Sequence, residues 1–447
     1  MRREGPGVPR GGRTRAAVAR AALPGLLAVC LSCGGQDSLT GTNPPPEAAP
    51  KEAAKKAPKP AAAGAVVQAG LDVLETENPP RLKGKKVGLV ANAASMTTDL
   101  RWAGDVLLKQ GVLVVRLFTP EHGLLARAAA GAEIADSKHE RTGLPIVSLY
   151  GKKKKPAPSD LEGLDALVFD LQDAGVRFFT YMSTLILCLD AAGVAGIELV
   201  VLDRPNPLGG ERVEGPVSEG PGAMPASFVN TAPGPLLHGL TTGEMARFVN
   251  ASRPKPAKLT VVAMKGWSRA MTWADTGRTW VAPSPNLRDP EAAMAYPGTA
   301  LLEATNVSEG RGTDAPFLLL GAPWVKAPEL AAATAPGFTL EATTFTPQAS
   351  DAAADPKHKG VECSGVRVKL ADPKAARPYT LGVALLRALR GQAGFEWRDD
   401  GAALDRLVGT RRLREALERG DAADAIVQAD AGAIEVFKTQ RKAALLY

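Results

Sequence analysis

Ala166-Leu167-Val168-Phe169-Asp170-Leu171-Gln172-Asp173-Ala174-Gly175-Val176-Arg177 is the stretch on which the fold turns. Its apolar residues run without the alternation of a half-exposed strand, so they suit a strand buried on both faces, and the run ends in carboxylates, an amide and an arginine. The same grammar recurs on either side. Lys86–Asn92, Leu113–Thr119, Pro145–Tyr150 and Glu198–Asp203 read as strands, with the helical patterns Leu100–Gln110 and Tyr181–Val194 between them. A helix at Thr242–Ala251 and a strand at Leu259–Met264 extend the series. Strands alternating with helices imply an α/β unit with a parallel sheet covered on both faces. The pattern changes around Trp280–Tyr296, strands from Pro297 onward are expected to be shorter, and Leu404–Arg419 and Ala422–Leu445 read as helices. These shifts place a boundary near residue 290, dividing a domain of residues 65–290 from a smaller one of residues 291–447.

The chain has 447 residues, 45% of them hydrophobic, and four cysteines, a composition of ordinary globular type with room for two or three structural units. Most of the formal net charge of +7 sits at the N-terminus, where six arginines face only Glu4 within residues 1–33. The remainder is nearly neutral and lacks the basic footprint of a nucleic-acid binder. Arginines followed by the apolar run Ala21–Leu31 read as an export signal, too short for the about 20 residues that span a bilayer. Leu27-Ala28-Val29-Cys30-Leu31-Ser32-Cys33-Gly34-Gly35 resembles a bacterial lipoprotein box, and Cys33, preceded by the small Ser32, suits lipidation better than Cys30. Residues 34–64 are Pro, Ala and Lys with almost no large apolar group, the composition of a disordered tether. The expectation is an exported protein, held at the cell envelope by its lipid alone. Cys188 and Cys363 read as buried free thiols.

Ligands of open parallel sheets bind outside the carboxyl ends of the strands. There the chain offers Asn92, then Thr119-Pro120-Glu121-His122-Gly123, then Asp170 through Arg177, then Asp203-Arg204-Pro205-Asn206-Pro207. No G-x-G-x-x-G follows the first strand, no phosphate-binding P-loop occurs, and zinc-type His or Cys spacings are missing, so no cofactor or metal is called for. Glu is not a preferred capping residue, and Glu121 between Pro120 and Gly123 reads as a site residue, with His122 orienting the loop. Asp170, Asp173 and Asp203 suit caps and turns as well as a site. The run Lys152–Lys155 reads as solvated surface. A second cluster comprises Pro283-Ser284-Pro285-Asn286 and the segment from Leu301 to Thr313, which holds Glu303, Asn306, Glu309 and Arg311.

With Thr142-Gly143-Leu144-Pro145, Ser148-Leu149-Tyr150-Gly151 and Thr180-Tyr181 added, these segments closely resemble the NamZ-type exo-β-N-acetylmuramidase family of peptidoglycan-cleaving glycoside hydrolases. The resemblance covers about residues 66–447. It departs at Leu124-Leu125-Ala126-Arg127 and Leu287-Arg288-Asp289. It implies a Rossmann-like N-terminal domain, a smaller α+β C-terminal domain, and a cleft that removes terminal N-acetylmuramic acid from the non-reducing end of wall fragments. Glu121 then takes the role of the acid, which asks for partial burial to raise its pKa. The second catalytic group stays open among Asp170, Asp173, Glu303, Glu309 and the substrate's own acetamide. Arg177, Arg204 and Arg311 are candidates to grip the lactyl carboxylate. Asn92, Gln172, Tyr181, Asp203, Asn206, Asn286, Glu303 and Asn306 are candidates to line the sugar. Two rival readings are a non-catalytic wall-glycan-binding lipoprotein, and a metal-dependent hydrolase using His122 with Asp170 and Asp173.

Overall fold

The computed structural model describes residues 66–77, 80–220, 223, 224 and 227–447; Cys30, Cys33 and the tether lie outside these. Seven strands form the main sheet: β1 (Lys86–Ala91), β2 (Leu113–Thr119), β3 (Ser137–Lys138), β4 (Pro145–Ser148), β5 (Ala166–Asp170), β6 (Glu198–Leu202) and, after the hairpin β7 (Glu214–Val217) and β8 (Pro235–Leu237), β9 (Lys258–Val262). Their order is β3-β4-β2-β1-β5-β6-β9, and every pairing is parallel except β3 with β4. β1 and β5 lie at the centre, and every residue of β5 is buried, as its unbroken apolar run requires. Gly88 of β1 leaves the space that the Phe118 ring fills; a Cβ there would come within 2.6 Å of that ring.

Helices cover both faces. Thr180–Ala195 is apolar nearly all round and is buried along most of its length, ending at Gly196 with φ 72°. Thr242–Ala251 starts with a reciprocal cap, Thr241 Oγ1 accepting from the Glu244 N–H at 3.2 Å and Glu244 Oε2 accepting from the Thr241 N–H at 3.0 Å. Past residue 290, β10 (Leu319–Ala322), β11 (Phe338–Phe345) and β12 (Cys363–Leu370) make an antiparallel sheet in the order β10-β12-β11, packed with helices into a smaller domain. The α/β class and the two-part architecture agree with the sequence reading. Cys188 and Cys363 are buried and free.

Element limits differ in instructive ways. The helix expected from Leu100 starts at Ala103, because Leu100 has φ 62° and Trp102 is still extended. Leu404–Arg419 divides at Gly409, φ 74°, into Ala402–Val408 and Arg412–Arg419. Ala422–Leu445 divides into Ala423–Gln428 and Ala431–Gln440, followed by a 3₁₀ turn; Asp430 between them is drawn into an ion pair with Arg412 at 2.6 Å. Strands after Pro297 are not shorter: β11 and β12 have eight residues each, the longest of the described residues. Lys152–Lys155 is solvated only in part. Lys153 bridges Asp136 and Asp160 at 3.3 Å each, and the Lys154 ammonium lies 3.5 Å from the centre of the Tyr150 ring.

Candidate active site

β2 delivers its last buried residue, Thr119, to the carboxyl edge of the sheet, and the chain then turns through Pro120 into Glu121. Glu121 is 8% exposed. Its Oε1 accepts from the Gly131 N–H at 2.8 Å, and its Oε2 accepts from the Thr180 hydroxyl, the first residue of the long buried helix, at 2.8 Å. Tyr150 lines the same cavity; burial and then the Glu121 charge push its phenol above its usual range. His122 adopts φ 71°, and its Nδ1 lies 2.7 Å from the Ala128 carbonyl oxygen. A carbonyl can only accept, so Nδ1 carries the proton, and burial holds the ring below its ordinary pKa and neutral.

The smaller domain supplies the other wall. Asp289 caps the helix Pro290–Thr299, its Oδ1 accepting from the Ala292 N–H at 2.8 Å, with Pro290 at the first helical position. That helix runs on into a 3₁₀ turn, Ala300–Ala304, which presents Glu303. Gly310 and Gly312, both at positive φ, carry the chain through Glu309 and Arg311. Arg311 holds Glu303 at 2.7 Å and Glu309 at 3.2 Å, its guanidinium 4.9 Å from the Phe317 ring centre. Lys357 holds Glu309 at 3.1 Å. Burial pushes the Glu309 carboxyl up, but Lys357 and Arg311 outweigh it and leave Glu309 below the usual carboxylate range.

Glu121, His122, Glu303, Glu309 and Arg311 together line one cavity of about 710 Å³. The cavity is also lined by Tyr150, Phe178, Phe179, Thr180, Ser284, Tyr296, Asp355, Lys357 and Arg398, none of them singled out as site residues from the sequence. Tyr150 and Thr180 lay inside the motifs quoted above. Lys357 and Arg398 follow no strand end and had no signal.

Other candidates are not brought to the cavity wall, and each is committed elsewhere. Asp170 and Arg204 form a fully buried pair, with Arg204 Nε 2.5 Å and Nη2 2.8 Å from the two carboxylate oxygens. Arg204 also donates to the Met96 carbonyl at 3.1 Å, and neither residue lines the cavity. Arg177 is wholly buried and donates to the Val408 carbonyl at 2.6 Å and to the Asn230 amide; burial lowers its pKa to about 9. It pins the smaller domain from within. Asp203 accepts from Thr241, Gly243 and Tyr447, each at 2.7 Å, and so anchors a helix start and the last residue of the chain. Asn206 bridges Leu240 and Leu208, and Gln172 donates to the Asp173 and Pro205 carbonyls. Asn306 grips Gly394 and Glu396.

Four further candidates, Asn92, Tyr181, Asn286 and Asp173, are absent from the cavity wall, and the first three tie together segments beside it. Asn92 donates to the Tyr181 hydroxyl at 2.9 Å, and that hydroxyl donates to the Pro283 carbonyl at 2.5 Å, joining the first strand end to the Pro283–Asn286 segment. Asn286 donates to the Ala352 carbonyl at 3.1 Å and so holds the loop that carries Asp355 and Lys357. Asp173 is buried, one oxygen accepting from the Gly175 N–H at 2.6 Å and the other unpartnered; burial pushes it up to about 7. His122, Asp170 and Asp173 are thus separately engaged, and among the described residues no three His, Cys, Asp or Glu are gathered as a metal-ligand set.

Residues 87–291 match the family model for the N-terminal part of the exo-β-N-acetylmuramidase NamZ, and residues 294–447 match the model for its C-terminal part. The chain belongs to the NamZ family. Over 388 residues it is 40% identical to the peptidoglycan β-N-acetylmuramidase NamZ of Bacillus subtilis strain 168, covering 85% of this chain and 91% of that protein. Crystal structures of two DUF1343 family proteins from Bacteroides fragilis NCTC 9343 share the fold. One gives a TM-score of 0.74 at 32% identity and the other 0.69 at 30%, each covering 85% of this chain and 99% of the solved one.

Proposed function

We propose that this protein is an exo-β-N-acetylmuramidase, a glycoside hydrolase that releases terminal N-acetylmuramic acid from the non-reducing end of peptidoglycan fragments. The observation that carries the reading is the unequal pair of carboxyls in one cavity. Glu309 is clamped by two cations, whereas Glu121 has hydroxyl and amide partners and no bonded cation. Glycoside cleavage needs one carboxyl to give a proton to the leaving oxygen and a negative group to face the oxocarbenium-like centre. Glu121 takes the first role and Glu309, kept charged by Lys357 and Arg311, the second. Buried aromatic rings of Phe178, Phe179 and Tyr296 supply the apolar floor on which a sugar face rests. Mass analysis of products from a muramyl disaccharide and from longer glycans tests this. Free N-acetylmuramic acid should accumulate from the first minutes, whereas internal fragments as the main early product would overturn the exo assignment.

The same reading extends to location: export, lipidation at Cys33 and attachment to the envelope through residues 34–64, supported by the arginine-rich start, the apolar run and the Pro/Ala/Lys tether. Growth with a labelled fatty acid should label the intact chain and not Cys33→Ser. Equal labelling of both, or of neither, would remove the claim.

A further inference from the structure

Three cations line the cavity, and they differ in what remains of their hydrogen-bonding capacity. Lys357 spends its ammonium on Glu309 at 3.1 Å and on the Leu302 and Val307 carbonyls at 2.8 and 2.9 Å. Arg311 spends its guanidinium on Glu303 and Glu309. The Arg398 side chain makes no hydrogen bond or ion pair with any described residue, and it is exposed at the cavity's edge. Its planar fork of donors is the free cationic recognition group of this cavity.

Its placement is enforced from both sides. The preceding residues are tied to the segment that carries the two glutamates: Asn306 donates its side-chain amide to the Gly394 carbonyl at 2.7 Å, accepts from the Glu396 N–H at 3.1 Å, and donates its own N–H to the Glu396 carbonyl at 3.1 Å. Trp397 and Thr305 face each other in an isolated antiparallel bridge. Immediately after Arg398, Asp399 (φ 52°, ψ 42°) and Asp400 (φ 50°, ψ 34°) are both left-handed and Gly401 continues at φ 86°. Two successive non-glycine residues in that region are strained, and such a turn persists only where its surroundings hold it.

We infer that Arg398 determines specificity by receiving the lactyl carboxylate of the terminal muramic acid in a two-pronged contact. The inference rests on the hydrolase reading above and assigns within it the group that distinguishes this sugar from an N-acetylglucosamine lacking the lactyl ether. A carboxylate contact far from the breaking bond is made equally in the bound state and the transition state, so its loss acts on KM rather than on kcat.

Three aryl glycosides test the assignment on the full-length protein: N-acetylmuramic acid, its lactyl amide, and N-acetylglucosamine. The wild type should prefer the acid to the amide. Arg398→Ala should lose roughly 10- to 100-fold in kcat/KM on the acid, through KM, and under about 3-fold on the amide, with Arg398→Lys between them. A wild type that turns over none of the three overturns the hydrolase reading and this inference with it. A wild type that is active but treats acid and amide alike overturns only the role of Arg398. So does an Arg398→Ala that loses equally on both, or a Lys154→Ala that abolishes the discrimination in its place. Unchanged thermal unfolding of the Arg398 variants confirms that the loss is not one of folding.

Discussion

Glu121 and Asp170 both follow buried parallel strands, yet their neighbours give them opposite roles. Asp170 meets a guanidinium inside the protein and is spent on it, whereas Glu121 is held by a hydroxyl and an amide at the wall of a cavity. Glu121→Gln keeps the shape but has no proton to give. On a substrate with a sugar leaving group, turnover should fall by ~10²–10⁴, the usual share of general acid catalysis. Aryl glycosides leave with little help and should slow far less. Equal losses on both would make Glu121 the base, the nucleophile or a positioning residue instead of the acid. The place of Glu121 on the cavity wall was legible because glutamate is not a preferred capping residue and this one stands between Pro120 and Gly123. The fates of Arg177 and Arg204 were not, since the sequence does not reveal which carbonyls and carboxylates a folded chain will turn inward. Lys357 lay in Asp355-Pro356-Lys357-His358, with no strand end to draw attention to it.

The elements of the parallel sheet were legible because strands buried on both faces write themselves as apolar runs. β11 was less so: only its end residues Phe338 and Phe345 are buried, and a mostly solvated strand carries little apolar signal. Helix crossings were invisible as well. Pro290–Thr299, which leads to Glu303, passes Pro378–Arg390 at Gly298 and Gly382. A Cβ on Gly298 would overlap the Pro378 carbonyl oxygen and come within 2.8 Å of the Gly382 nitrogen. Both obstacles are backbone and cannot swing aside. Gly298→Ala should therefore destabilise the protein by about 1–3 kcal/mol, seen as a fall of several degrees in Tm, although alanine is the better helix former. If Gly298→Ala unfolds at the wild-type temperature or above, the two helices are not in the close contact described.

Across the whole molecule, burial sets opposing pH dependences. Asp173, Asp203 and Glu214 are pushed up to about 7, 6 and 7, while His238, wholly buried near Arg441 and Arg177, is pushed down to about 3. The histidine's contribution is present above about pH 6.5 and is lost as pH falls toward 3. The carboxyls act in the other direction. Folded Asp173 keeps its proton up to about pH 7, whereas the unfolded chain releases it near pH 4, so between those values the unfolded state binds fewer protons. Its contribution is whole below pH 4 and is lost as pH rises through 7, by at most about 4 kcal/mol for a gap of about three units. Asp173→Asn cannot ionise and isolates that effect from the other buried groups. The difference in Tm between variant and wild type, followed from pH 4.5 to 8, should move steadily in favour of the variant and level off above pH 7. A difference that stays constant over that range would mean that the Asp173 carboxyl titrates alike in the folded and unfolded chains.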